Sequence, residues 1–246
     1  LMNMAQNLSK KELNLLKRIK KRNVGNPTTV KVDNVEVDFD YFQSLKEFLF
    51  LKEKIKKKIF NIVEIGAGYG RTCHTFLSLN NNIKKYLIID FPEMLSLSSR
   101  YLKKALDNKN FKKISFIDAN QNLNNIAELN LKNCLTININ SFNEMSDDAF
   151  NIYIELINKI GGFFYTKNPV AKFNDPDITT NIKRKRIALN TGQIKKVINI
   201  FDQKELIKAK KNYIQTYLPS KKWKIISIKF SRPLIYYLQA LYEKKN

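Results

Sequence analysis

An α/β fold on a doubly wound, mostly parallel sheet is predicted by three observations. Short β-branched runs alternate with helical stretches between residues 60 and 165. A glycine-rich turn follows the first run. Acidic residues close the second and third runs. The length of 246 residues suits one domain with elaborations and a sizeable core. With 43% hydrophobic and 11% aromatic residues, disorder is excluded despite the charge. No apolar run approaches the ~20 residues of a membrane-spanning helix. The first thirty residues lack the apolar core of a signal peptide. Cys73 and Cys134 make no disulfide framework, so a reducing, cytoplasmic compartment is expected.

The elements follow in order. Residues 9–22 place Leu13, Leu16 and Ile19 at helical spacing behind a Ser9/Glu12 capping-box pattern. Gly25 and Pro27 break that helix. Residues 30–39 alternate as a small hairpin around Asp33-Asn34, and 41–58 read as a second amphipathic helix ending in lysines. Residues 1–58 are thus expected to form an N-terminal helical extension packing on the core. From 59 onward, strands are expected at 60–65, 86–89, 114–117, 135–139 and 162–165. Helices are expected after the first of these to about Leu79, then at 92–106 and 147–160. After Pro169 a basic segment, 170–215, departs from the alternation as an acceptor-side insertion. Strand-like runs at 223–230 and 234–241 close the chain.

The formal net charge is +22, which invites a nucleic-acid hypothesis. Heavy use of Asn, Ile and Lys, the mark of an A/T-rich coding bias, competes with it. The charge is unevenly placed: net +7 over 1–58, +1 over 59–160 and +14 over 161–246. The alternating core is nearly neutral, which argues against a nucleic-acid partner and puts the excess on the flanks.

Residues 61–70 (NIVEIGAGYG) set a Gly-rich turn between the first strand and its helix. Glycines let the backbone approach a ligand, and the helix N-terminus offers free N–H groups. A dinucleotide loop reads GxGxxG, but its third glycine position is Arg71 here. The pattern is GxGxG with Glu64 two residues before Gly66, as in enzymes that bind S-adenosylmethionine (SAM). Asp90, ending the second strand, suits both ribose hydroxyls. Phe91 follows it, and Asp118, past the third strand, suits the adenine amino group. The expected cofactor-binding set is Glu64, Gly66, Ala67, Gly68, Gly70, Asp90, Phe91, Asp118, Asn140 and Ser141.

Several further stretches occur in order: VGNP at 24–27, VEIGAGYGRT at 63–72, IIDFPE at 88–93, NSFNEM at 140–145 and FYTK at 164–167. Residues 217–223 and 240–242 complete them. Over residues 24–243 the chain resembles the sugar O-methyltransferases found in bacterial polysaccharide gene clusters. That resemblance implies a Rossmann-like class I methyltransferase fold: a seven-stranded, mostly parallel sheet with a reversed last strand and helices on both faces. It also implies SAM as cofactor and methyl transfer to a hydroxyl of a sugar or glycan acceptor. Asn138 and Asn140 depart from the acid many relatives carry after the fourth strand, so no metal is expected, and no His/Cys/Asp cluster has ligand spacing.

A sugar hydroxyl is a poor nucleophile near neutral pH and calls for a positioned base. Glu144, after the fourth strand, is the first candidate, with a helix-cap or scaffold carboxylate as the bland alternative. His74, the sole histidine, is the second, with a structural histidine as its alternative. Tyr165 and Lys167 end the fifth strand and are candidate acceptor contacts. Lys183-Arg184-Lys185-Arg186 would grip a phosphate-bearing acceptor or form a solvated helix face. The helix at 9–22 suits an anionic membrane surface and packing on the domain equally. Two other readings stand beside the sugar enzyme. One is an RNA methyltransferase using the basic flanks; the other is a non-catalytic SAM-fold binding protein. The Asp/Asn-Pro-Pro-Tyr/Phe motif of amino-methylating DNA enzymes is absent from the position NSFNEM occupies.

Overall fold

The computed structural model describes residues 1–121, 123–172 and 189–245. A two-stranded hairpin accompanies a seven-stranded sheet of order β5 (Ile114–Asp118), β4 (Lys85–Asp90), β3 (Asn61–Ile65), β6 (Cys134–Ile139), β7 (Phe163–Pro169), β9 (Tyr237–Lys244), β8 (Trp223–Phe230). The chain divides into two compact units, Leu1–Asn122 and Leu123–Asn246.

The first unit opens with α1 (Met2–Gln6) and α2 (Lys10–Arg18). Ser9 and Glu12 form the expected capping box on α2, and Leu13, Leu15 and Leu16 are buried. The helix stops at Arg18, four residues short of expectation, because Ile19 turns extended and buries its side chain. The hairpin β1 (Thr29–Val32) and β2 (Val35–Asp38) turns through Asp33 and Asn34, both at positive φ. Asp38 then caps α3 (Phe39–Lys54) by accepting from the Tyr41 N–H at 2.8 Å. Helix α3 packs on α4 (Arg71–Leu79).

Strands β3 (Asn61–Ile65), β4 (Lys85–Asp90) and β5 (Ile114–Asp118) pair in parallel. The middle residues of β3 and β4 are fully buried, as strands covered on both faces must be. Helix α5 (Pro92–Ala105) packs on β4 and β5, and the short α6 (Asn108–Phe111) leads into β5.

The second unit holds α7 (Asn124–Glu128), β6 (Cys134–Ile139), a 3₁₀ turn (Phe142–Glu144), α8 (Asp147–Ile160) and β7 (Phe163–Pro169). It ends with α9 (Gln203–Tyr217), β8 (Trp223–Phe230) and β9 (Tyr237–Lys244). Strands β6 and β7 are parallel, whereas β9 runs antiparallel to both β7 and β8. The reversed last strand is thus present. It begins three residues later than the sequence suggests, because residues 231–236 turn first. Phe142 lies at the centre of the aromatic core, against Phe150, Tyr153, Phe164 and Tyr217. Trp223 is buried, and its indole N–H donates to Asn158 Oδ1 at 2.8 Å. Among the described residues, no helix is long and apolar enough to cross a membrane.

Candidate active site

The glycine turn is built from β3 outward. Gly66, Gly68 and Gly70 all take positive φ, at 73°, 57° and 98°. Two of them need glycine for different reasons. At Gly70, the N-cap of α4, a Cβ would lie 2.8 Å from Leu102 Cδ1. At Gly68 a Cβ would meet nothing within 4 Å, so that face of the turn is open. The Gly66 N–H donates to the Ile89 carbonyl at 2.9 Å, fastening the turn to β4.

Asp90 ends β4 beside this turn. Its Oδ2 accepts from the Gly68 N–H at 3.0 Å and its Oδ1 from the Phe91 N–H at 2.9 Å. Partial burial pushes its pKa up, opposed by hydrogen bonds from the Phe91, Gly68 and Ala67 backbone. A carboxylate has about four acceptor sites, so with three backbone donors on it about one stays open to an incoming hydroxyl. Asp118 pairs in register with Asp90 and accepts from the Asn120 backbone and amide. Phe91, between β4 and α5, is 59% exposed, an aromatic face turned to solvent at the strand end.

Glu64 sits beneath the turn. It is buried, accepts from the Tyr86 hydroxyl at 2.7 Å, and its carboxyl is pushed up to about 7 by burial. Hydrogen bonds from Tyr86 and Thr72 and the Arg71 charge oppose that rise. Its place is therefore under the loop, tying the turn and the start of α4 to β4. His74 is also enclosed, at 1% exposure. Its Nδ1 bonds the Tyr41 hydroxyl, which bonds the Tyr101 hydroxyl in turn. Burial and then the Arg22 charge pull its pKa down to about 4. A catalytic base must reach its acceptor, and His74 is sealed between α3, α4 and α5; its geometry is that of a structural histidine.

The remaining candidates belong to the second unit. Asn140 follows β6 at φ 55°, its N–H donating to the Lys167 carbonyl and its Oδ1 accepting from the Tyr237 hydroxyl at 2.6 Å. The Ser141 hydroxyl bonds the Asn138 amide. Glu144 is solvent-facing at the end of the 3₁₀ turn; partial burial raises its pKa, and the charge of Lys172 opposes the rise. Lys172 Nζ donates to the Asn143 carbonyl at 3.0 Å. Tyr165, by contrast, is fully buried, with its hydroxyl donating to Gln239 at 3.0 Å, and Lys167 is 2% exposed. Both are enclosed in this structure. Lys172 and Tyr237 accompany Glu144 and Asn140, and no sequence motif marks either. The run Lys183-Arg184-Lys185-Arg186 lies outside the described residues. No group of His, Cys, Asp or Glu able to hold a metal ion occurs among the described residues.

No family model and no curated protein matches the chain. Solved structures do. The fibrillarin pre-rRNA processing protein of Methanococcus jannaschii superposes with a TM-score of 0.54 at 14% identity, covering 93% of this chain and 86% of its own. The methyltransferase domain of bacterial CtHen1 gives 0.52 at 12% identity, covering 81% and 96%. Mitomycin 7-O-methyltransferase MmcR gives 0.53 at 8% identity over 82% of this chain, which spans only 54% of that enzyme. The fold is that of the class I methyltransferases. These likenesses establish the architecture.

Proposed function

We propose that the protein is a SAM-dependent O-methyltransferase acting on a hydroxyl of a sugar in bacterial surface-polysaccharide or glycan biosynthesis. The observation that carries the cofactor is the open face at Gly68, beside the free N-terminus of α4 and the in-register pair Asp90 and Asp118. These residues fit SAM chemically. Backbone N–H groups of the turn and of α4 would receive its carboxylate. Asp90 would accept a ribose hydroxyl, Phe91 would cover the adenine, and Asp118 would hold the adenine amino group. Bound there, SAM supplies an electrophilic methyl group.

In this reading residues 1–58 are an extension and residues 59–246 the catalytic domain, with 170–215 on the acceptor side. Glu144 takes the acceptor hydroxyl proton, its raised pKa making it a stronger base than an ordinary carboxylate. Tyr237 holds Asn140 in place, and Lys172 keeps the Glu144 carboxylate charged. The net +14 of residues 161–246 supports an anionic, phosphate-bearing acceptor.

Calorimetric titration with SAM tests the cofactor, and transfer from labelled SAM to a panel of nucleotide-linked, lipid-linked and polymeric glycans tests the acceptor. Glu144→Gln is expected to lower kcat by about 10²–10⁴ with SAM affinity unchanged. Methylation of RNA with none of any glycan would overturn the sugar assignment.

A further inference from the structure

Resting on the SAM reading above, we infer that Asp40 and Glu47 of α3 are positioning residues for the cofactor turn, so that the N-terminal extension sets cofactor affinity without touching the cofactor. Tyr69 and Arg71 flank Gly70, and both reach out of the turn to α3. The Tyr69 hydroxyl donates to Asp40 Oδ2 at 2.7 Å. Arg71 Nη1 donates to the Asp40 carbonyl at 2.8 Å, and Nη2 pairs with Glu47 Oε2 at 3.3 Å. This pair is enclosed: side-chain exposure is 16% for Arg71 and 2% for Glu47. The Tyr69 ring also meets Tyr101 edge-on, with centroids 5.0 Å apart.

Position 71 explains the arrangement. A dinucleotide loop keeps glycine there; here an arginine occupies it and turns away from the open face of the turn toward α3. A turn with three glycines at positive φ is conformationally costly to order, because glycine loses more freedom than any other residue. If that order is imposed in advance by α3, binding does not have to supply it. Helix α3 is itself fixed by the Asp38 cap and by Tyr41, whose hydroxyl bonds His74 and Tyr101. The brace is therefore anchored at several points, and Asp40 and Glu47 connect it to the turn on either side of the cap glycine.

The test is SAM affinity by titration calorimetry on the full chain, alongside thermal unfolding of each variant. Glu47→Gln and Tyr69→Phe are each expected to raise the SAM Kd about five- to tenfold while the chain stays folded. Arg71→Gln combined with Glu47→Gln is expected to be no worse than Arg71→Gln alone, the non-additivity of a coupled pair. A merely structural role would lower the unfolding temperature and leave Kd where it was. Folded variants that bind SAM within twofold of wild type overturn the inference. Should Glu47→Gln not fold, Tyr69→Phe decides, since it removes one exposed hydroxyl bond and keeps the ring against Tyr101. Wild-type protein that binds no SAM overturns the cofactor reading itself, a result distinct from equal binding by wild type and variants.

Discussion

Glu64 and His74 are both buried, and they titrate in opposite senses. A glutamate titrates near 4.5 in the unfolded chain, whereas Glu64 does so at about 7 in the folded one. Between those values the folded chain keeps a proton that the unfolded chain has released. The stability this site contributes falls as pH rises from about 4.5 to about 7. His74 behaves conversely. The unfolded ring charges below 6.5 and the folded ring only below about 4, so its contribution is lost as pH falls through that window. The two slopes largely cancel in wild type. Glu64→Gln removes one of them: the variant is expected to gain roughly 1–3 kcal/mol at pH 7.5 and little at pH 4.5. Urea midpoints at the two pH values measure this, and a variant less stable at pH 7.5 would contradict it. The residue types in the turn were legible in the sequence because backbone geometry dictates them: glycine at positive φ, acids at strand ends. Whether Tyr165, Lys167 or His74 faces solvent was not, since that depends on what other segments lay over each face.

Among the elements, the glycine turn separates two functions of one residue type. Gly70→Ala brings a Cβ within 2.8 Å of Leu102 and keeps φ near 98°, and it is expected to cost about 2–4 kcal/mol of stability. Gly68→Ala places its methyl in open space, so about 1–2 kcal/mol is expected, with a larger effect on SAM binding. Comparing unfolding midpoints and SAM titrations of the pair tests the contrast; equal losses in both readouts would refute it. At the other end of the unit, Ser9→Ala removes half of a capping box and is expected to cost about 1 kcal/mol. Elements with strong periodicity or fixed ends were read correctly: α8 at Asp147–Ile160 and β8 at Trp223–Phe230 have the expected bounds. The short helices α1, α6 and α7 carry too few residues for a pattern. The start of strand β9 is not legible because a strand paired on both sides buries a continuous apolar run, Leu238 to Tyr242 apart from Gln239, leaving no alternation to fix it.

For the molecule as a whole, the charge is a property of the flanks. Net +14 over residues 161–246 against +1 over 59–160 leads to a kinetic expectation for the proposed enzyme. KM for a phosphate-bearing acceptor should rise about tenfold from low to high salt, while KM for a neutral acceptor and the SAM Kd hold steady. A salt response shared equally by neutral and charged acceptors would sink the role given to the charge. Fold class was legible at this scale because the order of strands, glycines and acids is written along the chain. Lys172 and Tyr237 were not: Lys172 lies 28 positions from Glu144, and Tyr237 97 from Asn140. Trp223 has a use of another kind. It is the single tryptophan, buried on β8 and hydrogen-bonded to α8, so its emission is an intrinsic optical reporter of the second unit alone. The tyrosine and backbone signals come from both units, and a mismatch between their melting curves and the tryptophan curve would reveal units that unfold in sequence rather than together.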